Sequence, residues 1–72
     1  MDFAEKIRRL RRAKHLTQVQ VAAEIGISMR GYQDLELGIF PRYEKLLRIA
    51  DYYDVSVDWL MGRTENRYAH RS

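Results

Sequence analysis

Four side chains within SMRGYQDLELG, residues 28–38, have the chemistry to read hydrogen-bonding edges. Arg30 can donate two hydrogen bonds to O6 and N7 of a guanine. Gln33 can pair in the same two-pronged way with N6 and N7 of an adenine. Met29 offers an apolar surface to a thymine methyl, and Asp34 an acceptor for the N4 amino group of cytosine. Ile27, Tyr32 and Leu35 take the inward side, which leaves Met29, Arg30, Gln33 and Asp34 outward. The competing reading of these four is an ordinary solvated helix face.

The elements that must position them are written in caps and breakers. Ser28 is an N-cap, and the helix it opens runs over residues 28–36 until Gly38 closes it. The preceding helix opens at Thr17. The Thr17 hydroxyl can accept from the backbone three residues on, and Gln20 can reach back, which is a capping box. Val21, Ala22 and Ile25 form its apolar face, and Gly26 ends it. Two short helices joined by a tight glycine turn make a helix-turn-helix, whose second helix can lie in a DNA major groove.

Around that pair the spacing predicts three more helices. Asp2 caps the first, residues 3–14, with Glu5 at the capping-box position and a stripe of Phe3, Ile7 and Leu10. Pro41 blocks continuation, so the fourth begins near Arg42 or Tyr43. Its face of Leu46, Leu47, Ile49, Ala50 and Tyr53 is broad enough for a central helix. Ser56 caps a short fifth helix, with Asp58 in its first turn, Trp59 and Leu60 inward, Val57 outward and Gly62 at its end. The expected fold is all-α, a compact five-helix bundle over residues 1–62, followed by a frayed basic tail over residues 63–72 that carries Arg63, Arg67 and Arg71.

The chain has 72 residues, a net charge of +3 and no cysteine. That length supports one small core, of a kind often stabilised by oligomerisation. Without cysteines there is neither a disulfide framework nor a thiolate metal site, and His15 and His70 form no ligand pattern, so no metal or other cofactor is expected. No apolar run approaches the ~20 residues of a membrane span, and the N-terminus is too charged for a signal peptide. A soluble, cytoplasmic protein is expected. Residues 1–15 hold six Lys or Arg against Asp2 and Glu5, whereas residues 43–58 hold Lys45 and Arg48 against four acids. Such asymmetry suits one face presented to a polyanion. No nucleophile with a matched base, no carboxylate pair in a cleft and no phosphate-cradling loop points to an enzyme.

The pattern Leu16-Thr17-Gln18, Val21-Ala22, Ile25-Gly26-Ile27-Ser28, Tyr32, Leu35-Glu36 and Gly38 resembles the lambda-repressor-like (Cro and phage-repressor, xenobiotic-response-element) helix-turn-helix family. The similarity continues through Leu46 to Ala50 and Val55 to Leu60, covering roughly residues 5–63. It implies that Arg11 pairs with Glu36, tying the first helix to the end of the third. It implies backbone contact by Gln18, a role its amide and the free N–H groups of that helix end also suit; Thr17 and Arg11 stand with it as phosphate contacts. His15 stands where the family has glycine, a chain reversal that calls for φ > 0, so His15 is read as structural. The loop LGIFPR is one residue shorter than in relatives and offers only Arg42 to a phosphate. Its Ile39 and Phe40 can fold onto the core or meet another subunit. Relatives dimerise through the fifth helix and the loop before the fourth, which makes Ile39, Phe40, Tyr43 and Val57 the candidate homodimer patch.

The leading functional reading is a small transcriptional regulator, most simply a repressor, that binds double-stranded DNA at a near-palindromic operator. No larger C-terminal effector domain of the kind some relatives carry is expected, for the tail has no room for one. The rival reading is a protein-interaction module, or an antitoxin-type protein, whose main partner is another protein. Exposed Arg30 and Gln33 beside Gln18 separate the two, since a pure interaction module has no use for them.

Overall fold

Side-chain caps start four of the five helices among the described residues. The computed structural model describes residues 1–68; the remainder of the basic tail, with His70 and Arg71, lies outside the described residues. Five α-helices and no strand occur among them. They fall into two compact units, Met1–Phe40 and Pro41–Ser72.

In the first unit the Asp2 carboxylate accepts from the Glu5 amide at 2.8 Å and opens α1 (Phe3–Ala13). Ile7 and Leu10 are buried as the stripe predicts, and Phe3 is half-buried. Lys6 is buried as well, at 7 % exposure. The apolar pattern does not anticipate this, but a lysine stem is hydrocarbon and can lie along an apolar surface. After the cap residue Lys14 the chain reverses at His15, whose φ is 57°. The amides of His15 and Leu16 donate back to the carbonyls of Arg12 and Arg11.

The turn feeds α2 (Gln18–Ile25) through a complete capping box. Thr17 Oγ1 accepts from the Gln20 amide at 3.2 Å, and Gln20 Oε1 accepts from the Thr17 amide at 2.8 Å. Gly26, at φ 89°, stops the helix in the left-handed conformation that a side chain would oppose. Its amide and that of Ile27 both donate to the Ala22 carbonyl. Ile27, expected buried, is half-buried. Ser28 then caps α3 (Met29–Glu36). Helix α3 packs against both α1 and α2. Tyr32 and Leu35 on α3 and Val21, Ala22 and Ile25 on α2 are buried.

In the second unit Arg42 precedes α4 (Tyr43–Tyr53) without a side-chain cap. Leu46, Ile49, Ala50 and Tyr53 are buried at i, i+3, i+4 and i+7. Leu47, counted on that face from the sequence, is 38 % exposed. It sits about 100° around the helix from Leu46, off the stripe. Asp54 ends α4 at φ 57°, a position its short polar side chain tolerates. Ser56 caps α5 (Val57–Leu60), accepting from the Trp59 amide at 3.0 Å. The described part of the tail is not frayed. The Ser56 amide donates to the Arg67 carbonyl at 2.6 Å, and the Arg67 guanidinium lies 5.1 Å from the Trp59 ring centre. A backbone hydrogen bond and a cation–π contact together hold residues near 67 against α5, an arrangement that no periodicity in the tail announces. Among the described residues no helix is long and apolar enough to cross a membrane.

The left-handed His15 yields a stability prediction. His15→Gly should raise stability by about 0.5 kcal/mol, because the relieved Cβ strain exceeds the added chain entropy. His15→Val should lower it by about 1–2 kcal/mol, a β-branched residue being worst placed there. Thermal unfolding followed by circular dichroism reads both, and the two shifts must have opposite signs.

Candidate nucleic-acid interface

A carboxylate at the end of α3 organises the site. Glu36 is only 6 % exposed, and a buried charge must be compensated by partners. Arg11 of α1 supplies a two-pronged pair: Nε donates to Oε2 at 2.7 Å and Nη2 to Oε1 at 3.2 Å. Gln18 of α2 donates from Nε2 to Oε1 at 3.0 Å. The Tyr32 hydroxyl, one turn earlier on α3, also hydrogen-bonds this carboxylate. Burial pushes the Glu36 carboxyl up, but the hydrogen bonds from Arg11, Tyr32 and Gln18 and the Arg11 charge outweigh it and hold the group below its ordinary value. Arg11 is shifted up in turn, chiefly by its hydrogen bond to Glu36.

The same arginine closes the turn between α1 and α2, since its Nη1 donates to the Leu16 carbonyl at 3.0 Å. Arg8, one turn earlier on α1, donates from Nη1 to the Glu36 carbonyl at 2.8 Å. Three helices are thereby fastened at one residue. Sequence reading names Arg11 and Glu36 but passes over Arg8. The available signal was its i, i+3 spacing from Arg11, which puts both on one side of α1.

This anchoring fixes which way α3 faces. Tyr32, Leu35 and Glu36 are buried. Met29, Gln33 and Asp34 are half-buried, and the Arg30 side chain is 85 % exposed. Gln33 lines a recess of about 420 Å³ with Arg8, Gln18, Glu36 and Leu37. Arg30 Nε lies 3.5 Å from Asp34 Oδ1.

The groups suited to phosphate are differently placed. Thr17 and Gln18 stand at the start of α2, where backbone N–H groups lack helical partners. One N–H of the Gln18 amide is committed to Glu36; a primary amide carries a second N–H and a carbonyl. Arg11 uses three of its five N–H groups inside the protein and its side chain is 15 % exposed, so what it offers a phosphate is mainly charge. Arg42 is the exposed residue before α4, in the second unit.

The candidate contact patch divides likewise. In the first unit Ile39 and Phe40 are exposed, and the Phe40 ring packs on Phe3 at a tilt of 48° with centres 4.8 Å apart. In the second, exposed Tyr43 and half-buried Val57 line a groove of about 490 Å³ with Leu47 and Met61.

A helix-turn-helix family model matches residues 7–60. Among curated proteins, the chain is 42 % identical over 64 residues to the transcriptional repressor RstR of the cryptic phage CTXphi in Vibrio cholerae, covering 88 % of this chain and 57 % of that protein. It is 38 % identical over 65 residues to the uncharacterized HTH-type regulator YobD of Bacillus subtilis, covering 89 % of this chain and 58 % of that protein. It is 35 % identical over 66 residues to the HTH-type transcriptional activator BcrR of Enterococcus faecalis, covering 90 % of this chain and 32 % of that protein. The chain thus spans little more than half the length of the first two. No solved structure matches it at a significant level.

The lowered Glu36 carboxyl sets a pH dependence. A depressed folded-state value contributes stability above the ordinary carboxylate range and loses it as pH falls through the folded value. Glu36→Ala, which strands Arg11, should cost about 3 kcal/mol at neutral pH. By about pH 3 the gap between wild type and variant should shrink, as the wild type loses its own contribution. Denaturant titrations at several pH values measure the gap; one that stays constant would sink the assignment.

Proposed function

The chain belongs to the helix-turn-helix family, and from that premise we propose that it binds double-stranded DNA sequence-specifically as a small transcriptional regulator. The observation that carries this reading is the outward face of α3. Its inward residues are locked to α1 and α2, and its first turn holds out the Arg30 guanidinium, 85 % exposed, with Asp34 3.5 Å from its Nε. Such an arrangement suits a helix laid in the major groove.

In this reading residues 1–62 form the DNA-binding domain. Arg30 forks onto guanine O6 and N7, Gln33 pairs with adenine N6 and N7, and Met29 covers a thymine methyl. Asp34 completes the face turned to the bases. Thr17, Gln18 and the amides opening α2 meet one phosphate run, with Arg11 adding charge and Arg42 a further backbone contact. Contacts to phosphate supply affinity; the α3 face supplies sequence preference. A two-fold homodimer, joined through Ile39, Phe40, Tyr43 and Val57, sets two copies of α3 about 34–36 Å apart on a near-palindromic operator. Occupying a promoter in this way represses it most simply by exclusion. In this reading the protein works in the compartment that holds the DNA, the cytoplasm.

Selection of duplexes from a random pool, followed by fluorescence anisotropy over a salt series, tests this. We expect an inverted repeat to be enriched. Arg30→Ala should relax preference at one base pair by about 1–3 kcal/mol while the dependence on salt stays steep. If no sequence is enriched and affinity disappears at moderate salt, binding is only electrostatic. The protein-partner reading then replaces this one.

A further inference from the structure

Helix α3 carries its charges against its own dipole. Arg30 stands in the first turn, where the helix end is positive, and Asp34 in the last, where it is negative. The pair also runs base before acid, the weaker order for an i, i+4 contact. Helix stability therefore does not account for these two residues. They nevertheless meet, with Arg30 Nε 3.5 Å from Asp34 Oδ1.

The atoms involved matter. A guanidinium has a side edge containing Nε and an end formed by Nη1 and Nη2, and either can grip two acceptors. Asp34 lies beside the side edge. What it leaves is the Nη1–Nη2 end, which fits guanine O6 and N7. The acid lies closer to the helix, its side chain 32 % exposed against 85 % for Arg30. Asp34 thus stands beside the inner edge of the guanidinium, and the outer edge projects.

We propose that Asp34 is a positioning residue that makes Arg30 conditional on guanine. An exposed, untethered arginine samples many rotamers and grips any phosphate. With a carboxylate beside Nε, its pull on the sugar–phosphate backbone is reduced, and a planar pair of acceptors meeting its free end is favoured over a phosphate. Asp34 therefore lowers affinity for random DNA and raises discrimination. This inference rests on the reading of α3 as the helix that meets base edges, and it assigns Asp34 a role through Arg30 rather than direct contact with cytosine.

The test compares wild type, Asp34→Ala, Arg30→Ala and the double variant on the selected operator, on operators substituted at each base pair, and on a random duplex. Asp34→Ala should weaken preference about three- to tenfold at the same base pair that Arg30→Ala relaxes. It should tighten binding to random duplex and steepen the log–log salt slope by about one. In the Arg30→Ala background it should do none of these. Asp34→Glu, which keeps the charge within reach, should restore most of the preference. The melting temperature of Asp34→Ala should not fall, because the lost charge opposed the helix dipole. Loss of preference at a different base pair overturns the proposal and makes Asp34 a direct reader. Equal effects with and without Arg30, or no change in preference, overturn it as well. If Arg30→Ala itself relaxes nothing, the reading of α3 falls first and this inference with it.

Discussion

The rest of the first unit depends on the compensation of one buried carboxylate. Glu36 receives hydrogen bonds from Arg11 on α1, Gln18 on α2 and Tyr32 on its own helix. Apolar contact between helices is non-directional and tolerates some rotation of one on another. A two-pronged arginine pair does not, because both of its hydrogen bonds weaken steeply with misalignment. Removing one member would strand the others in a low-dielectric setting, so the members hold one another in place. Arg8, bonded to the carbonyl of the same residue, adds a fastening that acts on the backbone rather than the side chain.

Orientation is what this constraint gives to function. A reading helix must present the same side chains at the same angle each time it enters a groove. Tyr32, Leu35 and Glu36 are spent on anchoring, and Met29, Arg30, Gln33 and Asp34 are what remains. The price is that Gln18, suited to phosphate, and Arg11, suited to charge, are partly engaged inside the protein. Their contribution to DNA binding is therefore to hold the reader as much as to touch the backbone.

Much of this was legible in local chemistry. The caps at Asp2, Thr17, Ser28 and Ser56, the stop at Gly26 and the reversal at His15 all depend on residues within four positions of one another, and each stands where the sequence reading put it. What was missed is partly non-local and partly a misjudged residue type. Lys6 is buried although its type argues for exposure, and Leu47 is exposed although its type argues for burial. Arg67 closes on Ser56 and Trp59 from a stretch with no periodicity to announce it. The left-handed Asp54 gave no glycine signal because a short polar side chain serves in its place.

The sequence by itself determined the five helices, their starts, most of their ends and the inward and outward faces of α3, because caps, breakers and apolar spacing act over a single turn of chain. Together with its resemblance to relatives it also pointed to the Arg11–Glu36 pair. Only the tertiary structure decided that Gln18 and Tyr32 join that pair, that Arg8 secures the Glu36 backbone, and that Asp34 lies against the Nε edge of Arg30. Two of those contacts, from Gln18 and Arg8, bring different helices together, and the two within α3 depend on which rotamers the packing allows. Which nitrogen meets which oxygen is settled only when the helices pack and the rotamers are chosen.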